Sequence, residues 1–263
     1  MGINEFVKGL AHDWFPDAAL RISSRRSRRL IERQTKRLGL DHLARTIAGH
    51  TGSRVLSGPF AGLQLDYEAL PVHSAPKLIG TYEREIAAFV EDAIRRAPPQ
   101  ILNIGASDGY YAVGMARRLP NAIVYACDTD PKSLSATMRN AGLNGVSDRV
   151  SPLGLIDSND YGKYLRDKGS LLLMDCEGAE FKLLPACAQS LRHANIIVEV
   201  HPEFGSCDSL VAVFRPTHAV QVVHRHKREI SDYPVLISGV DPLLAMDERR
   251  GDQTWLYFTA ESA

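Results

Sequence analysis

Residues 101–116 read ILNIGASDGYYAVGMA. An apolar run stops at Gly105, a short polar loop follows, and Gly109 opens a helix of small residues. A strand–loop–helix of this kind brings backbone close to a ligand. The dinucleotide fingerprint G-x-G-x-x-G uses three glycines so that a pyrophosphate can rest on the helix N-terminus. Here those positions hold Gly105, Ser107 and Tyr110, and two glycines are missing. No Lys or Arg lies in 101–116, and Asp108 stands inside the loop, where it would repel phosphate. Two glycines spaced G-x-x-x-G around Ala106, Ser107 and Asp108 suit a cationic ligand that needs one close backbone approach.

Outward from this loop, short apolar runs alternate with helical patterns. Strands are predicted at about 100–105, 123–128, 149–154, 170–175 and 195–201. ILNIG, IVYACD, LLLMD and IIVEVH are apolar on both alternate positions, as strands buried on two faces must be. The order implies a doubly wound, open α/β sheet. The tail departs from it: AVQVVHR (219–225) and TWLYFTA (254–260) are strand-like, with a polar, Pro-containing insert between them, and fit a closing antiparallel pair. Upstream, 82–97 reads as a helix whose apolar face is Ile86, Phe89, Val90, Ala93, Ile94 and Ala97, with Glu83 and Glu85 in its first turn. SGPFAGLQL (57–65) reads as a loop feeding a short strand.

Ligands in such sheets bind at the carboxyl ends of the strands. Those ends carry Asp108, Asp128 with Thr129 and Asp130, then Asp175, Glu177 and Glu180, then Glu199 and His201. The rim is acidic. Asp128 lies 19 residues after Gly109 and ends the second strand, where a carboxylate can accept both hydroxyls of a ribose. Asp130, before Pro131, is the better helix cap and leaves Asp128 for the ligand. An adenosine-bearing, phosphate-free cation satisfies all of this, and S-adenosylmethionine is such a molecule, leaving S-adenosylhomocysteine (SAH) as product.

NIGASDGYYAVGMA, VYACDTDP, LLLMDCEGAEFKLL and IIVEVH, in this order and spacing, resemble the FkbM family of class I S-adenosylmethionine-dependent methyltransferases. The most specific piece is D-x-E-G-x-E, Asp175 to Glu180, and the likeness covers roughly 100–201. The resemblance implies a Rossmann-like seven-stranded sheet with the last strand antiparallel. It also implies O-methylation of a hydroxyl on a small secondary metabolite or sugar. Asn103 stands where the family's glycine motif often begins with an acid. The expected cofactor contacts are Asn103, Gly105, Ala106, Ser107, Asp108, Gly109, Asp128, Thr129 and Asp175.

Methyl transfer from a sulfonium is an in-line displacement, and an alcohol acceptor must also lose a proton. His201, ordinarily titrating near pH 6.5, is the candidate general base, with Asp175 and Glu177 beside it. Glu177 and Glu180, at i and i+3, are expected to share a helix face. Asp175, Glu177 and His201 offer hard O and N donors for a divalent ion, but no ligand spacing supports one and none is expected. His218, His224 and His226 are expected at the surface.

The 263 residues divide into a helical, basic extension (1–57) and a methyltransferase domain (58–263, core 98–263). The segment 21–37 holds eight basic residues against one acidic, which reads as a solvated helix face packing a narrow stripe onto the body or onto a second copy. A homodimer through these helices is one arrangement this allows; a clamp for phosphate or anionic lipid is the sharper alternative. Formal net charge is zero, so no global field recruits nucleic acid or membrane. Nucleic-acid methylation is disfavoured further, because nothing after the fourth strand resembles the N/D-P-P-Y/F loop that holds a flipped base. A non-catalytic cofactor-binding module is the remaining alternative. The four cysteines form no CxxC pair, no run of about 20 apolar residues occurs, and residues 1–15 lack the apolar core of a signal peptide. The expected compartment is the cytoplasm.

Overall fold

The computed structural model describes residues 39–66, 74–234, 236–248 and 253–261. The basic segment 21–37 lies outside them. Seven strands form one sheet: β1 (Gln100–Ile104), β2 (Ile123–Cys127), β3 (Val150–Leu153), β4 (Leu171–Met174), β5 (Asn195–Val200), β6 (His218–His224) and β7 (Thr254–Ala260), in the order β3-β2-β1-β4-β5-β7-β6. β1 to β5 are parallel, and β7 runs antiparallel between β5 and β6. The expected α/β sheet with its last strand antiparallel is the one observed. β7 takes the inner position because Trp255, Leu256, Tyr257 and Phe258 are all buried, whereas β6 exposes most of its residues at the edge.

Side-chain alternation divides the core. Ile101, Leu171, Leu173, Ile197, Trp255 and Tyr257 face one layer. It contains α1 (Leu40–Thr51), α2 (Ser74–Ile79), α3 (Ala87–Arg95), α4 (Tyr110–Arg118) and α5 (Pro131–Leu143). Leu102, Ile104, Leu172, Met174, Ile196, Val198, Leu256 and Phe258 face the other. There lie α6 (Tyr161–Tyr164), α7 (Glu180–Cys187) and α8 (Cys207–Phe214). A ninth short helix among the described residues, α9 (Pro242–Ala245), packs against α1 and α2.

Three local expectations are corrected. The helix at 82–97 is shorter: Glu83 is left-handed at φ +46°, a 3-10 turn covers Arg84–Ile86, and α3 ends at Arg95. Ala97 is exposed at φ +51°, ahead of Pro98, where continuation of the helix is disfavoured. The segment 57–65 forms no strand, only an isolated bridge between Arg54 and Gln64. His218 is buried, its ring held by Ala194 O at 2.9 Å and Thr217 Oγ1 at 2.8 Å. Asp130 does cap α5, accepting from Lys132 N at 3.0 Å ahead of Pro131. No helix of the described residues is long and apolar enough to cross a membrane.

Packing against α4 is tight at one glycine. A Cβ on Gly114 would meet the ring of Phe60 at 2.6 Å, and Phe60 is itself held edge-on by Tyr110 and Tyr111. Gly114→Ala is expected to destabilise the chain by about 1–3 kcal/mol through overpacking. An unchanged denaturation midpoint would contradict this packing.

Candidate active site

The strand order reverses between β1 and β4: the chain leaves β1 toward β2 and β3 on one side, and β4 continues to β5 on the other. A crevice forms outside such a switch point. The glycine loop sits there. Cys127 O accepts from both Gly105 N and Ala106 N at 2.9 Å, and Ile104 O accepts from Asp175 N at 3.0 Å. Gly105 adopts φ +79°, and a Cβ there would lie 1.7 Å from Asp175 O. Gly109 adopts φ +83°, where a Cβ would meet Thr137 Cγ2 at 2.8 Å. Both glycines are therefore required by close backbone and helix contacts within the fold.

Asp128 ties the loops together. One carboxylate oxygen accepts from Ser107 N and the other from Asp130 N, each at 2.8 Å. Ser107 is held at φ +51°, and Thr137 Oγ1 donates to its carbonyl at 3.1 Å. Thr129 is exposed beside Asp128. Gly105, Ala106, Ser107, Gly109, Asp128 and Asp175 thus come together at one rim.

Asp108 points elsewhere. Its side chain is buried and pairs with Lys77 Nζ of α2 at 2.5 Å. Lys77 is buried too, 5.0 Å from the centre of the Tyr82 ring and 5.7 Å from that of Tyr110. The charge expected to repel phosphate is neutralised by a lysine 31 residues upstream. That correction weakens the electrostatic reading of the loop, which rests instead on the other strand-end acids. Asn103 is buried on β1 below Gly105, and its Oδ1 has no hydrogen-bond partner among the described residues.

At the ends of β4 and β5, His201 is surrounded by carboxylates. Glu180 is wholly buried at the start of α7. Its Oε1 accepts from His201 N at 2.8 Å and pairs with His201 Nδ1 at 3.0 Å, while Oε2 accepts from Gly178 N at 2.9 Å. His201 Nε2 lies 3.7 Å from both Asp175 Oδ1 and Glu177 Oε2. The shared helix face expected from the spacing of Glu177 and Glu180 is not formed, because Glu177 lies outside the helix. Glu177 is left-handed at φ +55° in the turn before α7 and half exposed. The two flank the imidazole from opposite nitrogens.

Burial alone would lower the His201 pKa. The hydrogen bond to Glu180, with the charges of Asp175, Glu180 and Glu199, outweighs it and pushes the value from 6.5 to about 9. Protonated His201 therefore favours the folded chain; this contribution is complete below about pH 6.5 and is lost as pH rises through about 9.

Sequence reasoning missed a second wall of the crevice. Glu83 is buried, accepts from Tyr111 Oη at 2.6 Å, and its amide donates to Glu248 Oε2 at 2.8 Å. Carboxylate oxygens of Glu83, Asp175 and Glu199 lie within 4.8 Å of one another, as do ligand atoms of Asp175, Glu177 and His201. Behind them Arg228 bonds Glu85 at 2.7 and 2.8 Å and Glu248 at 2.6 Å.

No family model matches the chain. A release factor glutamine methyltransferase of Geobacter sulfurreducens is 37% identical over 71 residues, 26% of this chain and 24% of that protein. The one from Deinococcus radiodurans is 28% identical over 116 residues, 44% of this chain and 36% of that protein. The chain thus spans between a quarter and two fifths of the length of these two curated relatives. Among solved structures, an O-methyltransferase from Bacillus cereus in complex with SAH aligns over 66% of this chain and 79% of its own, at 15% identity and a TM-score of 0.44.

Proposed function

We propose that this chain is an S-adenosylmethionine-dependent methyltransferase acting on a hydroxyl of a small secondary metabolite or sugar, and that it is FkbM-like. The observation that carries the reading is the convergence, at one topological switch point, of the glycine loop, Asp128 and the Asp175–His201 edge. Sequence likeness to proteins named methyltransferases supports the reaction class. The D-x-E-G-x-E motif and the carboxylate-bound histidine favour a hydroxyl, whose proton must be taken up during transfer.

The residues present suit such a donor. Each Asp128 oxygen accepts from a loop amide, and a strand-end carboxylate is the kind of acceptor that a ribose diol calls for. Asn103 Oδ1, a buried acceptor with no partner among the described residues, would be satisfied by an ammonium group. When bound, the donor supplies an electrophilic methyl group on a sulfonium. The chain's part would be to align the acceptor and to receive its proton, for which His201 Nε2 in its neutral form, beside Asp175, is the acceptor.

Isothermal titration with SAH tests the reading. Asp128→Ala is expected to weaken binding at least tenfold, about 1.4 kcal/mol, because ribose acceptors and loop order are lost together. Affinity close to that of the unaltered chain would sink the ribose assignment. Incorporation of labelled methyl into candidate alcohols separates an enzyme from a binding module.

A further inference from the structure

We infer that Glu180, the last residue of the D-x-E-G-x-E motif, is the positioning residue for His201: it fixes the ring's tautomer and turns Nε2 to the crevice. The inference rests on the reading of His201 as the proton acceptor.

The geometry leaves the tautomer little choice. An ionised carboxylate only accepts hydrogen bonds, so Nδ1, 3.0 Å from Glu180 Oε1, must carry a proton. The same oxygen accepts from the His201 amide at 2.8 Å, which anchors ring and main chain to one point. The other oxygen accepts from Gly178 N at 2.9 Å and lies 3.5 Å from Cys176 Sγ, so the turn from β4 to α7 is bound to the same carboxylate. Nε2 then faces Asp175 and Glu177 at 3.7 Å.

The surroundings hold Glu180 in place. It has no exposed surface, and among the described residues its ion-pair partner is His201. A carboxylate withdrawn from water is stable only when its acceptor sites are filled, here by two amides and the ring. The loop after β5 locks onto the turn: a Cβ on Gly178 would meet the Phe204 ring at 2.3 Å, and one on Gly205 the Phe181 ring at 2.5 Å. A side chain at either glycine would displace the phenyl ring packed on it. His201 cannot leave Glu180 by a simple swing of one loop.

Charges reach His201 from every side: Asp175 from β4, Glu177 from the turn, Glu180 from α7 and Glu199 from its own strand, with the neutral Cys176 thiol nearby. All the acids favour the imidazolium, but only Glu180 bonds to it at 3.0 Å. The base is therefore charged at neutral pH, and the neutral form that accepts a proton becomes abundant only in alkaline solution. Transfer should rise with pH until His201 has titrated.

NMR titration of the imidazole in the full chain, with ring-¹⁵N shifts, reads this without any methyl acceptor. In the unaltered chain the ring should carry its proton on Nδ1 above its transition and titrate at about pH 9. A ring titrating near 6.5, or protonated on Nε2 in its neutral form, overturns the inference. Glu180→Gln preserves size and removes the charge. It is expected to lower the titration by about two pH units, and the acid limb of the pH–rate profile with it, while SAH affinity stays within about twofold. Unmoved midpoints, or a neutral ring that still carries its proton on Nδ1 with Nε2 titrating as in the unaltered chain, would show that Glu180 does not set the ring's state and would also overturn it. Should the titrations shift as expected while no alcohol is methylated, Glu180 keeps its role and the methyl-transfer reading fails.

Discussion

His201→Ala is expected to leave SAH affinity within about twofold while lowering methyl transfer by about 10²–10⁴-fold, the range contributed by a positioned acid–base group. The separation follows from placement. Apart from Asp175 at the end of β4, the cofactor contacts assigned here lie on the β1 strand and the β1 and β2 loops, whereas His201 ends β5 and meets Asp175 alone among them. Asp175→Asn should behave similarly, since it removes the charge 3.7 Å from Nε2. Truncating His201 also leaves Glu180 buried beside no cation, and breaking such a pair costs about 3–5 kcal/mol. The comparison is therefore made by single-turnover transfer of labelled methyl at a temperature where the variant remains folded. Full activity in both variants would remove these two residues from the chemistry.

Gly105→Ala is the second large effect. Two penalties coincide there: a left-handed backbone at φ +79°, and a Cβ that would stand 1.7 Å from Asp175 O. No rotamer relieves the second, because the obstacle is main chain. β1 and β4 must part at their carboxyl ends, disturbing the Asp175 N to Ile104 O bond of 3.0 Å. A loss above about 3 kcal/mol is expected from combined strain and overpacking, read as a lowered urea midpoint, with SAH binding lost in whatever remains folded. A variant with an unchanged midpoint would show that the two strand ends do not approach as described.

The strands were legible because burial on both faces leaves an apolar signature that no tertiary detail overrides. LLLMD and IIVEVH became β4 and β5 to within a residue at each end. The rim followed, since topology alone places strand ends together. What stayed hidden depends on contacts between residues distant in sequence. Nothing local in SAPKLI says that Lys77 meets Asp108, and nothing in TYEREI says that Glu83 leaves the helical region to face Asp175 and Glu199. Glu85, read as a first-turn acid, is instead bound by Arg228, 143 residues away. The Glu180–His201 pair was half visible: both residues stood in quoted motifs, but the left-handed Glu177 that sends Glu180 inward has no sequence signature.

The ion pair between Lys77 and Asp108 also bears on how this chain can be divided. Cutting ahead of β1 would seem natural, because the sheet and its loops all follow. Such a cut strands the Asp108 carboxylate in the interior and uncovers Tyr110, whose ring the lost ammonium and Tyr82 had covered. The glycine loop is in that sense built from two distant stretches, and exchange of parts between related chains must carry 74–79 together with 101–116. A boundary between them would break that pair.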